Sequence, residues 1–296
     1  MNRRRFIKTG LIWSPVVFNA GALGAVRLAA IETEVNSWMS GVAFRSGHYS
    51  ALSIVASDIA MKILRPIRPQ IKRLNFFLGS DFKAAQFPLI IDAGYPNSDA
   101  PFLGAGGAGS GSDFTYNETG VNGGLKPLTA NTWLNTGLVP LTDLSQNSMG
   151  VSAYVREANG ANTTAIGCNT FGGPIQITFA PDQASGNFVA IAGDGNFIIN
   201  VPDAVKKGFY TLSRTSVTSL VLYRDATSIS SIANPGVGLP ATNVAVFNNN
   251  FNTGPGTSYY AKSLGSYAIH LGLTAAQVVI LNNANFAVQT ACSRNV

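Results

Sequence analysis

The spacing of apolar residues divides the chain into three textures. Leu28, Ile31, Val35 and Trp38 recur at i, i+3, i+7 and i+10, with Arg27, Glu32 and Glu34 off that stripe, the period of an amphipathic helix. After the Gly47-His48 turn, Ser50 is placed to cap a second helix whose apolar face reads Leu52, Val55, Ala56, Ile59 and Ile63. Pro66 and Pro69 end it.

From Ile71 the period shortens. Alternating or apolar runs separated by Gly, Asn, Pro and Asp follow one another: Trp133–Leu138, Met149–Arg156, Ile175–Phe179, Phe188–Ala192, Phe197–Val201, Phe209–Arg214, Leu220–Arg224, Val244–Phe247 and Ser266–His270. In "VAIAGDGNFII" two apolar runs flank Asp194-Gly195, a short-range hairpin signal. No helical period interrupts the runs, which excludes alternating strand–helix units and predicts a mainly β antiparallel sandwich of jelly-roll type. The tail returns to helix. Thr274 and Gln277 have capping-box spacing, Ile280, Leu281, Ala284, Ala287, Val288 and Ala291 form one stripe, and Asn282, Asn285 and Gln289 fall on another face.

Charge sharpens this division. Only 11% of the 296 residues are charged, against about a quarter in ordinary soluble domains. Residues 1–75 hold 11 Lys and Arg against 3 Asp and Glu, whereas residues 76–296 hold 9 against 11. The larger part is near neutral, so the overall +6 gives no basic surface for nucleic acid. The basic excess starts at "NRRRFIK", where Asn2-Arg3-Arg4-Arg5-Phe6-Ile7-Lys8 resembles a twin-arginine export motif. It is followed by the apolar Leu11–Val26 stretch, too short and interrupted for a membrane span, with small residues at Ala20-Gly21-Ala22. Residues 1–26 are expected to be either a cleaved export signal, placing the protein in the periplasm or outside the cell, or a retained docking segment. Residues 27–70 form a helical region and 71–296 the sandwich with its closing helix.

Candidate chemistry is sparse. Beyond Ile71 the only Glu residues are Glu118 and Glu157, with no Glu-x-Asp-x-Glu run to set two carboxylates on one strand face. His48 and His270 are the only imidazoles, no G-x-S-x-G elbow exists, and His270 ends an apolar strand where a structural role is expected. "GAGGAG" at Gly104–Gly109 leads into "SGSDF" rather than a helix, which excludes a phosphate cradle. Cys168 and Cys292 either pair or remain buried thiols, and two Cys with two His give no zinc spacing. Aromatic and amide residues are left to carry function: exposed "TSYYAK", with Tyr259 and Tyr260, and the Asn-rich "FNNNFNTGPG", with Asn250 and Asn252, suit a ligand-contacting rim. Extended backbone would send Tyr259 and Tyr260 to opposite faces.

Four stretches, "IKRLNFFLG", "YNETGVNGGLKPLTANTWLNTGL", "GFYTLSRTSVTSLVLYRDATSI" and "GLTAAQVVILNNANFAVQTACSRNV", together with the preceding helices, resemble the concanavalin A-like (laminin-G-like) sandwich domains of phage tail and other virion proteins and of exported bacterial proteins. The resemblance implies a non-catalytic surface or virion attachment protein that binds a glycan or cell-surface ligand through its loops. It further implies N-terminal helices docking to other subunits, and a homo-oligomer. A glycoside hydrolase or lyase of the same fold is the alternative. Domains of this kind can hold Ca2+ through Asp side chains, for which Asp113 and Asp194 are the residues of suitable type. No other cofactor is expected.

Overall fold

The computed structural model describes residues 31–92, 98–103, 107–129, 131–157, 163–170, 175–181, 187–194, 198–202, 207–233, 236–251, 254–255 and 259–295. The export-like segment, residues 1–26, lies outside them.

Helix α1 is Thr33–Phe44, burying Val35, Trp38 and Val42, with the Trp38 indole donating to the Phe87 carbonyl at 2.9 Å. Ser50 caps α2, Ala51–Leu64, as its spacing predicts, through a reciprocal bond with Ser53. The buried face of α2 differs from the expected one. It is Ser53, Ala56, Ser57, Ala60, Met61 and Leu64, while Val55 is 37% exposed and Leu52, Ile59 and Ile63 are only half-buried. Small side chains let α2 lie close against α5, Ala275–Ala291, so the small-residue face wins over the bulkier one. Pro66 and Pro69 tighten Arg65–Gln70 into a 3-10 turn that delivers the chain to the first strand.

Two sheets follow. In the first, β1 (Ile71–Asn75) runs between β2 (Ile90–Ile91) and β19 (Leu264–His270), so the first and last strands of the sandwich are neighbours. The order continues through β8 (Met149–Val155), β13 (Gly208–Arg214) and β14 (Ser219–Arg224) to β15 (Thr227–Ala233) at the edge. The pair β5 (Phe114–Asn117) and β6 (Gly124–Pro127) joins at β19. The second sheet runs β12 (Ile199–Val201), β11 (Phe188–Asp194), β10 (Ile175–Ala180), β9 (Ile166–Asn169), β16 (Ala245–Val246), β7 (Thr132–Asn135), β3 (Ala100–Leu103) and β4 (Gly107–Ala108). Pairing is antiparallel throughout these orders, and β11 and β12 form the expected hairpin, Phe188 opposite Val201. The fold is therefore the antiparallel β-sandwich the sequence predicts, with helices before and after it among the described residues.

The core lies between the sheets and is built from alternating inward residues: Val151, Ala153 and Val155 of β8, Tyr210 and Leu212 of β13, Ile177 and Phe179 of β10. Phe188 stacks on Tyr210 at 4.7 Å and meets Phe179 edge-on at 5.0 Å. Ionic side chains are built into the interior, Arg73, Asp99, Arg214 and Arg294 among them, and Arg73 pairs with Asp99. Asp99, fully buried, accepts from Arg73 Nε and Asn75 Nδ2 at 2.9 Å and from the Tyr267 hydroxyl at 2.7 Å, joining β1 and β19 to the chain before β3.

α5 corrects a second expectation. Thr274 and Gln277 do cap it reciprocally, but Asn285 and Gln289 face inward. Asn285 Oδ1 accepts from the Ser266 hydroxyl at 2.6 Å, and Gln289 Nε2 donates to the Gly265 carbonyl at 3.3 Å, so the amides bond the helix to β19. Each amide is partnered on one side, with Asn285 Nδ2 and Gln289 Oε1 left buried without a bond.

Candidate functional site

Strand alternation assigns the outer surface of the second sheet. Ile166 and Cys168 of β9, Ile177 and Phe179 of β10, and Ala190 and Ala192 of β11 point into the core. Their intervening neighbours lie on the other face, and register aligns them in two rows: Gly167, Thr178 and Ile191 in one, all buried, and Asn169, Gln176 and Gly193 in the next, where Asn169 and Gln176 are half-exposed and a Cβ on Gly193 would lie 3.4 Å from Arg214 Nη2. A further strand, β17 (Asn249–Phe251), pairs parallel with β9 and sets Asn249 opposite Gly167.

The side chains of this surface bond to one another. Asn249 Nδ2 reaches Thr178 Oγ1 at 3.5 Å, the Thr178 hydroxyl donates to Gln176 Oε1 at 3.2 Å, and Asn169 Nδ2 donates to the same Gln176 oxygen at 3.2 Å. Gly167 is the floor between Asn249 and Thr178. A Cβ there would lie 2.9 Å from Asn249 Oδ1 and 3.0 Å from the Ile177 carbonyl, so any larger residue would close the notch. These amides keep donors beyond the bonds named, Gln176 Nε2 among them, and two acceptors, Asn169 Oδ1 and Asn249 Oδ1, are buried with no partner. Asn249 is 6% exposed. A buried acceptor without a donor costs roughly 1–3 kcal/mol.

Of the rim residues read from the sequence, Tyr259 borders this surface. It is half-buried, forms a parallel bridge with Thr164, and Thr164 in turn flanks Gly167; burial raises its phenol above the ordinary value. Tyr260 must be withdrawn from the rim. Its ring is fully buried in the core and its hydroxyl donates to the Glu157 carbonyl. Asn250 serves the backbone, donating through Nδ2 to the Asn243 carbonyl at 2.9 Å. Asn252 lies outside the described residues.

The remaining polar residues have local duties. Asp113 caps the short turn Gly111–Asp113 by accepting from the Ser110 amide at 2.6 Å, and Asp194 ends β11 with its side chain outside the described set. Among the described residues no three His, Cys, Asp or Glu gather as a metal site. Glu118 accepts from the Ser50 hydroxyl at 2.8 Å, tying α2 to the β5–β6 connection, and Glu157 pairs with Lys126 at 2.9 Å. His270 is fully buried: Nδ1 donates to the Leu271 carbonyl at 2.7 Å, so Nε2 accepts from the Ser152 hydroxyl at 2.9 Å. The orienting partner is a backbone carbonyl rather than a carboxylate, and both side chains are sealed from solvent. Cys168 and Cys292 are separate buried thiols, and burial raises both above the ordinary thiol range.

Asn169, Gln176, Thr178 and Asn249 were not legible as a group. Their signal was alternation within Ile175–Phe179, where polar Gln176 and Thr178 fall between apolar residues, but the partner strands could be assigned only from register.

No protein-family model matches this chain, and no curated protein matches it. Solved structures do. Domain 4 of AbnA, a GH43 extracellular arabinanase from Geobacillus stearothermophilus, in complex with arabinotriose, matches with TM-score 0.50 and 16% identity over 72% of this chain and 99% of that one. The botulinum neurotoxin serotype D binding domain matches with TM-score 0.47 and 12% identity over 75% of this chain. The serotype D domain in complex with N-acetylneuraminic acid gives 0.45 and 13% over the same share. The match spans 52% of either toxin domain. At such identities the arabinanase domain supports the sandwich fold.

Proposed function

We propose that this protein is a non-catalytic glycan-binding protein whose ligand lies on the amide surface of the second sheet, beside Tyr259. The observation that carries this reading is the half-exposed amide pair Asn169 and Gln176, bonded to each other at 3.2 Å on neighbouring strands near half-buried Tyr259. Half-exposed amides can exchange hydrogen bonds with sugar hydroxyls, and an aromatic ring at the border offers a face on which a sugar can stack. The fold is one in which the arabinanase domain holds arabinotriose.

Glu118 and Glu157 are engaged by Ser50 and Lys126 respectively, which favours binding over hydrolysis. A glycan array followed by calorimetry on the full chain tests the reading, with a reducing-end release assay run on every glycan that binds. Retention of glycans without new reducing ends is the expected result; release would establish the hydrolase alternative.

The setting we infer is a surface, either of an exported protein or of a virion to which the N-terminal region attaches it. The low charge of residues 76–296 and the basic start at Arg3-Arg4-Arg5 support it. Intact mass of the protein from its native source distinguishes the two: loss of Met1–Ala22 marks export, and retention marks an assembled component.

A further inference from the structure

We infer that this protein self-associates through the outward stripe of α5, which crosses the same helix of a second copy about a two-fold axis. The inner side of α5 is committed: Asn285 and Gln289 bond β19, and α2 lies against it. Its outward side has no such cover. Val279 is 43% and Phe286 57% exposed, and among the described residues no other helix or strand leaves two large apolar side chains in solvent. Ala275, Val279, Asn282 and Phe286 follow at steps of four, three and four, the spacing by which one helix packs on another, and Thr290 continues the line. A surface helix ordinarily turns charge outward. From Leu271 to Ser293 there is none.

The occupant is a second copy because the stripe complements itself. Lacking charge, it offers nothing to an acidic or basic partner, and no like charges meet when two copies face each other. In an antiparallel crossing about an axis between Asn282 and Asn283, Phe286 of one copy meets Val279 of the other and Ala275 meets Thr290. Each contact sets a larger side chain against a smaller one. At the axis Asn282 faces the other copy's Asn283, and an amide, which both donates and accepts, pairs with its own kind. Antiparallel helices also oppose their dipoles favourably. One contact repeated by the axis is the isologous arrangement of closed dimers. α5 has 17 residues, about 25 Å of helix, so the buried area falls at the small end for specific complexes and the dissociation constant is expected in the micromolar range.

The test is analytical ultracentrifugation of the full chain between about 1 μM and about 300 μM, across which the mean mass is expected to rise from one chain toward two. Phe286→Glu and Val279→Glu each set a carboxylate against an apolar side chain of the other copy. Each is expected to raise the dissociation constant at least about tenfold while leaving the melting temperature in dilute solution unchanged, both positions being exposed in the single chain. Asn283→Cys, exposed beside the axis, is expected to give a covalent dimer with a short bis-maleimide, where the wild type, whose Cys168 and Cys292 are buried, gives none. A chain that stays single at the highest concentration would overturn the inference. So would a dimer that both Glu variants leave intact, which would place the contact on another surface. Vesicles of phosphatidylcholine and phosphatidylglycerol are floated with the full chain alongside: flotation abolished by Phe286→Glu, with no dimer formed, would give the stripe to lipid and overturn the inference as well.

Discussion

Acid should destabilise this protein through His270, whose burial sets the direction of the effect. The imidazole is fully enclosed between β8 and α5's approach, with a Gly150 beneath it whose Cβ would meet the ring at 2.2 Å, and burial lowers its pKa from 6.5 to about 4. The backbone bond to Leu271 acts the other way but is the smaller effect. The sign follows from linkage. The unfolded chain binds this proton near pH 6.5 and the folded chain only near 4, so stability present above pH 6.5 is lost as pH falls through that window. At about 1.4 kcal/mol per tenfold change in proton affinity, the full loss is roughly 3 kcal/mol, most of it already felt at about pH 4.5.

The clean measurement is a difference. Denaturant unfolding at about pH 7.5 and 4.5 is compared for the wild type and for His270→Asn, whose amide can still donate to the Leu271 carbonyl. Every other ionisable group is common to both proteins, so the difference isolates His270. The wild type should lose roughly 2–3 kcal/mol more than the variant across that interval, whatever constant cost the smaller side chain imposes. Equal pH dependence in the two proteins, or an NMR titration of His270 with a midpoint near its ordinary value, would refute the reasoning.

Other substitutions report on other parts of the fold. Asp99→Ala leaves Arg73 charged and buried without its counter-ion and removes the acceptor of Tyr267 and Asn75, so unfolding free energy should fall by about 3–5 kcal/mol in urea titration. Gly272→Ala would place a Cβ 1.9 Å from the Arg214 carbonyl oxygen; main chain cannot swing aside, and a loss of at least about 2 kcal/mol is expected by thermal melting. Cys168 and Cys292, being separate and buried, should leave the melting temperature unchanged by dithiothreitol and react with a thiol reagent only on unfolding.

Much of the architecture was legible because its strands are buried on both faces. β8, β13 and β19 are each enclosed along all seven residues, and each is visible in the sequence as an unbroken or nearly unbroken run. β15 was missed for the opposite reason. Thr227–Ala233 reads TSISSIA, lies at a sheet edge and is largely exposed, so no hydrophobic period announces it. The helices show how partners override patterning. α2 carries two stripes, one bulky and one small, and hydrophobicity alone ranks the bulky one first; the neighbouring α5 selects the other. In α5 itself, Asn285 and Gln289 look like surface residues until Ser266 and the Gly265 carbonyl are known to face them.

The site was harder to read because it depends on which residue of an asparagine run faces the sheet. Asn248, Asn249 and Asn250 are indistinguishable by type, and simple alternation from Val244–Phe247 would carry the strand straight on. Instead Phe247 adopts a left-handed backbone, with φ at 69°, an unusual conformation for a bulky side chain. The chain reverses there, leaving β16, antiparallel to β9, and returning as β17, parallel to the same strand. That reversal sets Asn249 over Gly167 and turns Asn250 back to bond the Asn243 carbonyl. The closed core around Phe247, which packs against Phe77 at 6.3 Å and Phe114 at 6.1 Å, holds the turn in place. The placement of Asn249 over Gly167 is thus chosen by a buried aromatic two residues earlier, through contacts with residues more than a hundred positions away, and no local reading of the Asn run could have supplied that choice.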